Sequence, residues 1–488
     1  MGAKAEKREM FVTSPQFYRT IVLLSVPIIL QQLLRVSVDT LDSIMLGRID
    51  QVQMSAVSQA QQIFFIFYTV CSGFSAGCSV LIAQYWGRRD TESIKTLVAI
   101  GVRSIAVFGV LFSAVVMIWP ERLLRIYSSD PELIRLGVPY LRIASLMYPV
   151  CAVSTMIFAC CRGFEEMKVS FTTNVISYPL NVFLDFCLIF GNFGMPELGI
   201  RGAAVGTVIA RVVELLILCR FLFRKEKKLS MKPSDLGRRD RRLLGDFWKV
   251  GLPIVFHELI WSTGTTAGSS ITGQMGTTIV AGYNIANVYY QLMACVTNAI
   301  LYSCSTTIGK TIGSGASKDR IQKEAYSMVL IGLVSGTLMG LLTLMFGGLF
   351  TRLYVLTPDA AAYARNFMLV FAAIWPFSGM EMTGMIAVLR AGGDGKMGLI
   401  CDIFSMWMFT IPLAAACAFV FRLSPYLVVS IIKFNIAIEA FVGIWRIHTK
   451  KWIENCKCKL DTRMIKIVQR KPALSITQQA RLALSRMP

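Results

Sequence analysis

The stretch VPIILQQLLRVSVDTLDSIMLG, residues 26–47, decides the fold class. It is mostly apolar, and apolar runs of about 20 residues, the length that crosses a membrane as a helix, recur along the whole chain. The same stretch also contains Arg35, Asp39 and Asp42. A charge at membrane depth costs several kcal/mol, so three of them in one segment indicate a functional role.

The composition predicts an all-α integral membrane protein without a large soluble domain. Of the 488 residues, 55% are hydrophobic and only 16% are charged, whereas soluble proteins carry about 25% charged residues. The net charge of +21 does not indicate nucleic-acid binding, because the basic residues cluster between apolar runs and in the tail. We therefore expect no nucleic-acid partner.

Twelve apolar segments predict twelve transmembrane helices. Their centres lie near Leu33, Tyr68, Phe108, Val150, Leu180, Val212, Trp261, Leu292, Gly336, Ser378, Phe409 and Phe434. They divide the chain into an N-terminus (1–16), a first six-helix bundle (17–223), a basic linker (224–246), a second six-helix bundle (247–448) and a basic tail (449–488).

The distribution of Lys and Arg predicts the orientation. The connections 87–95, 161–168, 220–249 and 309–323 and the tail are basic, whereas the opposite connections 191–202 and 273–278 are short and nearly neutral. Because positive loops stay in the cytoplasm, we expect both termini there, in a multi-pass bacterial inner-membrane protein. The stretches 220–249 and 450–488 are then placed to contact anionic lipids of the inner leaflet.

An internal repeat relates the two halves. VPIILQQLL (26–34) aligns with LPIVFHELI (252–260), and at the same offset IMLG (44–47) aligns with SITG (270–273) and IAQYWG (82–87) with IGKTIG (308–313). Each half has an even number of helices and enters the membrane in the same sense. The repeat therefore predicts two bundles related by a pseudo-two-fold axis along the membrane normal, with a cleft between them.

Polar residues of the first half are predicted to lie at one depth. On a helix, Asp39 and Asp42 lie within about 40° of Arg35, so the three share one stripe. Asp42, Asp185 and Thr207 each lie several residues from the outer end of their helices, about 8–10 Å below the surface. Asn181 is one turn deeper than Asp185. This set favours a proton relay or a small cation site with oxygen ligands.

Two interpretations of this cluster remain open on the residues alone. It either binds a coupling ion or is a buried hydrogen-bonded network that holds helices together. The second half does not repeat the cluster, since the equivalent positions are Gly268, Phe409 and Leu413. This asymmetry favours a functional role.

Other polar residues are candidates for contacting a cationic substrate. Glu258 and Glu381 are intramembrane acids on the seventh and tenth helices, in the inner half of the membrane. Gln32 and Tyr178 are further candidate contacts. No cysteine or histidine pattern predicts a metal centre, and AGGDGK (391–396) lacks the glycine and the partner motif of an intramembrane aspartyl protease. We expect no catalytic residue and no cofactor other than a coupling ion.

Four stretches resemble the multidrug and toxic compound extrusion (MATE) family. They are VPIILQQLL…LDSIMLGRI, IAQYWGRRD, NVFLDFCLIFGNFGMPELGIRGAAVGT and VLRAGGDGK, within a match that covers about residues 15–450. The resemblance implies two six-helix bundles in a V shape and the expulsion of organic cations against an inward flow of H+ or Na+.

The resemblance also implies roles for individual residues. Asp42, Asn181, Asp185 and Thr207 match the first-half cation site of the DNA-damage-inducible protein F branch, where H+ or Na+ is the implied ion. Pro27 matches the proline at which the first helix bends. Asp39 has no counterpart in the family, and Glu258 and Glu381 miss by two or three residues the acidic positions of other branches.

The sequence thus predicts a monomeric secondary antiporter that exports cationic amphipathic drugs or toxic organic compounds in exchange for H+ or Na+ by alternating access. Two alternatives remain. One is a lipid-linked oligosaccharide flippase of the wider superfamily, which would carry a basic cavity. The other is a membrane receptor or scaffold, which would have no need of acids at matched depth.

Overall fold

The computed structural model describes residues 10–47, 51–128, 130–354 and 356–454. Side chains at positions 39, 43, 44, 46, 47, 51 and 454 lie outside the described part as well, and so do the first nine residues and most of the predicted tail. The described residues up to 454 form one compact unit. Within them every long element is helical.

Among the described residues, the first half contains six long helical segments, α1–α6. They are α1 (Pro15–Gly47), α2 (Gln51–Gly87), α3 (Thr91–Ile118), α4 (Pro131–Ser145 continued by Met147–Gly163), α5 (Met167–Phe190) and α6 (Ile200–Lys225). The second half contains six more. They are α7 (Arg241–Gly273), α8 (Thr277–Gly313), α9 (Lys318–Thr351), α10 (Pro358–Leu389), α11 (Gly395–Val420) and α12 (Pro425–His448).

Each of the twelve predicted segment centres falls in one of these helices, and the all-helical membrane fold is confirmed. Among the described residues, ten segments are long and apolar enough to span a membrane, and α4 is a further span bent by 48°. The remaining segment, α7, has the length but not the apolarity. It begins with charged residues, carries His257 and Glu258 at mid-length and ends in the Gly-, Ser- and Thr-rich stretch 262–273.

Large apolar side chains cover the outside of the helices, as expected of a surface that faces lipid rather than water. The most exposed on α9 and α12 include Val334, Leu338, Leu341, Met345, Phe441 and Trp445. This surface and the helix lengths identify a multi-pass membrane protein.

Small residues bring α9 and α10 into close contact. Gly332, Gly336 and Gly340 repeat every four residues along one face of α9, and a Cβ at Gly336 would collide with the Trp375 carbonyl of α10. Stripes of this kind let helix backbones approach closely in membranes, where van der Waals packing is the main attraction between helices.

The contacts that join the two halves lie toward one end of the helices, here called the linker end because residues 226–240 connect the halves there. Gln84 of α2 donates to the Ala391 carbonyl at 2.7 Å, and Lys310 of α8 pairs with Glu165 at 2.7 Å. Deeper in the bundle, the Ser25 hydroxyl of α1 donates to Ser303 of α8 at 2.9 Å. The halves are therefore held together on the linker side.

Candidate functional site

The turn between α5 and α6 shapes the first-half cluster. Gly191 adopts a left-handed conformation with φ of 72° and ends α5, and the Leu198 N–H returns to the Leu188 carbonyl at 2.9 Å. Gly202 and Gly206, one turn apart on α6, face α5 so closely that a Cβ on either would collide with it. The two helices thus form a tight pair, with Gly206 directly against the Asp185 carboxyl.

Asp185 is buried with only 2% of its surface exposed. Its Oδ2 accepts a hydrogen bond from the Asn181 amide at 3.1 Å, one turn earlier on α5. Its Oδ1 is buried without a hydrogen-bond donor among the described residues. Burial of such a group is costly unless something else satisfies it, so this oxygen marks a place for a proton or a cation.

Asp42 of α1 lies within hydrogen-bonding range of Asp185, and Tyr140 of α4 lies in electrostatic range of both carboxyls. The structure thus brings Asp42 together with Asn181 and Asp185, which are far from it along the chain. Two ionised carboxylates repel each other, and a hydrogen bond between two carboxyls requires a proton on one of them. The pair is chemically suited to hold a proton or a small cation.

Of two neighbouring residues on α6, Gly206 contacts the Asp185 carboxyl, whereas the Thr207 hydroxyl bonds within its own helix. The Thr207 hydroxyl donates to the Ala203 carbonyl of its own helix at 2.9 Å, and the α6 residue in contact with Asp185 is Gly206. The Asp39 side chain lies outside the described residues. Pro27 lies inside the continuous helix α1, where it removes one backbone hydrogen bond and locally weakens the helix.

Comparisons with known proteins agree with this architecture. The family model described as MatE matches residues 27–187 and again 253–416, so the two matches begin at Pro27 and Pro253, which the internal repeat aligns. The chain belongs to the MatE family.

Relatives and solved structures of the same kind cover most of this MatE chain. A probable multidrug resistance protein NorM of Rhizobium meliloti (strain 1021) is 27% identical over 83% of this chain and 87% of its own length. The crystal structure of a MATE protein in complex with MaL6 has a TM-score of 0.81 at 19% identity, over 92% of this chain and 100% of that chain.

A further solved structure shares the fold. An outward-facing multidrug resistance MATE family transporter of the MOP superfamily has a TM-score of 0.79 at 19% identity, over 91% of this chain and 100% of that chain. The predicted resemblance to the family is confirmed, and membership of a transporter family agrees with the expectation that the protein is not an enzyme. The assignment to the protein F branch stays a prediction.

The aromatic and amide candidates for substrate contact lie in the first half of this MatE protein. Tyr178 is buried, and the Arg211 guanidinium lies 5.6 Å above its ring. Arg211 in turn pairs with the buried Glu214 at 2.7 Å, as expected from their spacing on one helix. Arg35 lies in electrostatic range of Tyr178, and Gln32 is half-buried one turn earlier on α1.

The two acidic candidates lie in a buried network of the second half. Glu258 forms an ion pair with Arg390 at 2.8 Å, and Arg390 also donates to His257 at 2.7 Å. Glu381 is buried with 5% exposure, in electrostatic range of Glu258 and Arg390. In this conformation Glu258 is therefore paired with a cation of the protein itself.

Sequence reasoning missed five members of these two clusters. Tyr140 and Gly206 lie beside the first-half pair. In the second half, Arg390 pairs with Glu258, and Asp402 and Glu439 lie in electrostatic range of Glu381. The two acids carried a readable signal, since each is a carboxyl inside an apolar run. Gly202 and Gly206 were also recognisable in the sequence, because small residues four apart predict a close contact between helices.

Proposed function

We propose that this MatE protein is a secondary antiporter that exports cationic amphipathic drugs or related organic compounds in exchange for H+ or Na+. The family and the similarity to multidrug resistance proteins support multidrug efflux. The observation that carries the coupling is the buried contact of Asp42 and Asp185 beside Asn181. A carboxyl pair that changes its charge on binding an ion is the minimum device that coupled exchange requires.

The position of the pair supports access from one side. Asp42 and Asp185 lie near the ends of α1 and α5 that are opposite to the linker end, about 8 Å from those ends at the rise of an α-helix. The contacts between the halves lie toward the linker end. With the basic linker in the cytoplasm, this arrangement is closed on the cytoplasmic side, and the pair is reached from outside.

Coupling follows from linkage between the two ligands. Without an ion, the pair is negative and favours an organic cation in the cleft. Binding of H+ or Na+ from outside lowers the negative charge of the pair, and α1 rearranges near Pro27, so that the drug is held less well. Linkage requires the reciprocal effect: the drug must lower the affinity for the ion by the same factor.

Lipids and assembly complete the proposal. The basic stretch 220–249 is placed to contact anionic lipids of the inner leaflet. The tail proposed for the same role lies outside the described residues from 455 onward. We expect a monomer, because the first-half site is formed by residues of a single chain.

Reconstitution into liposomes tests the proposal. Efflux of a fluorescent organic cation is measured under a pH gradient alone and then under a Na+ gradient alone, which identifies the coupling ion. Asp42→Asn and Asp185→Asn should both abolish gradient-driven efflux while purifying as folded monomers. Glu324→Gln, which changes a buried acid paired with Arg320 away from the site, is the matched control and should export normally. Normal export by Asp42→Asn would refute the mechanism.

A further inference from the structure

The second half contains a cluster of buried carboxyls that the proposed function does not use. Glu381 of α10, Asp402 of α11 and Glu439 of α12 are 5%, 0% and 2% exposed. Titratable or charged groups in electrostatic range of them are His257, Glu258, Arg390 and Cys401. The carboxyls thus outnumber the cations, and Arg390 is already paired with Glu258 at 2.8 Å.

Asp402 is the least satisfied member of the cluster. Both of its oxygens are buried, and neither has a hydrogen-bond donor among the described residues. It faces the carboxyl of Glu439 within hydrogen-bonding range. Because an ionised carboxylate only accepts hydrogen bonds, the two carboxylates cannot satisfy each other. A proton on one of them is the ligand that would turn this contact into a hydrogen bond.

Glu439 is held in a fixed orientation for that contact. Its Oε1 accepts hydrogen bonds from the Ser405 hydroxyl at 2.9 Å and from the Asn435 amide at 3.2 Å. These two donors stabilise the carboxylate form of Glu439. They therefore favour a proton that is shared with, or carried by, Asp402.

A neutral histidine adjoins the pair. Arg390 has no acceptor, so in their 2.7 Å hydrogen bond the His257 Nδ1 must accept. The proton of the neutral ring is then on Nε2, and this atom lies 3.4 Å from Asp402 Oδ2 without forming a hydrogen bond. A small rotation of either side chain would close this contact and give Asp402 a donor that can exchange a proton with it.

The backbone around the acids is irregular. The α-helical part of α10 ends at Glu381 and a π-helical stretch, Met382–Leu389, follows it directly. In the same way, Asp402 ends the α-helical part of α11 and is followed by the π-helical stretch Ile403–Thr410. Stretches of π-helix are uncommon and occur frequently at functional sites. Both acids thus lie at points where the helix geometry changes.

We propose that Asp402 and Glu439 form a second proton-binding site, which is loaded and emptied from the linker end of the molecule. Asp402 is the eighth residue of α11 from that end, about 10 Å deep. The first-half pair lies near the opposite end. The ligand is H+, because a proton is what the contact of these two carboxyls lacks to become a hydrogen bond. This inference deepens the proposed antiport by giving each half an ion site.

Infrared difference spectroscopy of the purified protein tests this site independently of transport. At neutral pH the wild type should show the C=O band of a buried protonated carboxyl that Asp402→Asn and Glu439→Gln each remove. In each variant the new amide donates to the remaining carboxylate, so no proton is needed. Glu439→Gln can still accept from Ser405 and Asn435, which keeps it folded. Glu324→Gln should leave the band unchanged.

The outcomes separate this inference from the proposed function. Asp185→Asn should leave the second-half band in place, whatever it does to export. Persistence of the full carboxyl signal in both Asp402→Asn and Glu439→Gln would overturn the second site, even if Asp42→Asn abolishes drug efflux. Loss of the band in a variant that runs as a folded monomer supports the site, even if the first-half pair proves unimportant.

Discussion

At the scale of single residues, the chemistry of the first-half site depends on what lies beside each carboxyl. Asp185 has an amide donor on one oxygen and a bare glycine, Gly206, against the other. The glycine leaves the space in which the carboxyl can meet Asp42. A side chain at that position would occupy this space without adding a donor.

Gly206→Ala should therefore impair coupling. The added Cβ would collide with Asp185 Oδ1 and move the carboxyl away from Asp42. Overpacking costs about 1–3 kcal/mol, so a loss of about tenfold in gradient-driven efflux is expected. Ile209→Ala is the matched control on the same helix, and it should stay near wild type because this side chain is 41% exposed and lies outside the proposed site. Equal activity of the two variants would contradict the role given to this contact.

The residue scale also marks how far the site could be predicted from the sequence. The common depth of Asp42 and Asp185 followed from counting residues to the helix ends, which needs only the helical rise. The contact of Asp402 with Glu439 could not be predicted by counting residues. It depends on the rotation of α11 and α12 and on a π-helical stretch that shifts the register. The position of Tyr140 depends in the same way on the bend of α4.

At the scale of elements, close approach between helices replaces the hydrophobic core of a soluble protein. The glycine stripe of α9 lies against α10 next to Trp375, which is fully buried. Helix α10, which carries Glu381, packs against α9 through these glycines. The apolar runs made the helices predictable. Small residues decide which helix faces meet, and a hydropathy profile does not identify those residues.

The linker between the halves is held by its own ion pairs. Arg238 pairs with Asp235 at 2.8 Å and also with Glu92 at the start of α3. The hydrogen bond from the Lys232 N–H, with help from Arg238, keeps the pKa of Asp235 below its ordinary value. A lowered aspartate pKa contributes stability above the unfolded pKa that is lost as the pH falls through the folded one. The Asp235 carboxylate therefore contributes its full stabilisation to this turn at neutral pH.

Gly336→Leu should destabilise the second half. Its side chain would be forced between α9 and α10 at the Trp375 carbonyl, and we expect a loss of about 1–3 kcal/mol or more, as for overpacked cores. Gly348→Leu, on the same helix where an added Cβ meets no atom within 4 Å, should have little effect. The measurement is the unfolding temperature in detergent, and similar temperatures for the two variants would contradict the packing argument.

At the scale of the whole molecule, the two carboxyl pairs lie near opposite ends of the helices, while the contacts between the halves are concentrated at the linker end. This arrangement suits a transporter that opens one end at a time. If the linker end opens during the cycle, the contacts between α1 and α8 must separate. The hydrogen bond of Ser25 with Ser303 is the most direct of these contacts to test.

A disulfide at this point should lock the transporter. The two hydroxyl oxygens are 2.9 Å apart and buried, so cysteines at both positions are close enough to bridge. Oxidised Ser25→Cys/Ser303→Cys should lose nearly all drug efflux in liposomes, and reduction should restore it because the halves are free to separate again. Each single variant, which retains the native cysteines but cannot form this bridge, should export under both conditions. If the cross-linked double variant exports at the wild-type rate, the halves do not part at α1 and α8, and alternating access must use a different opening.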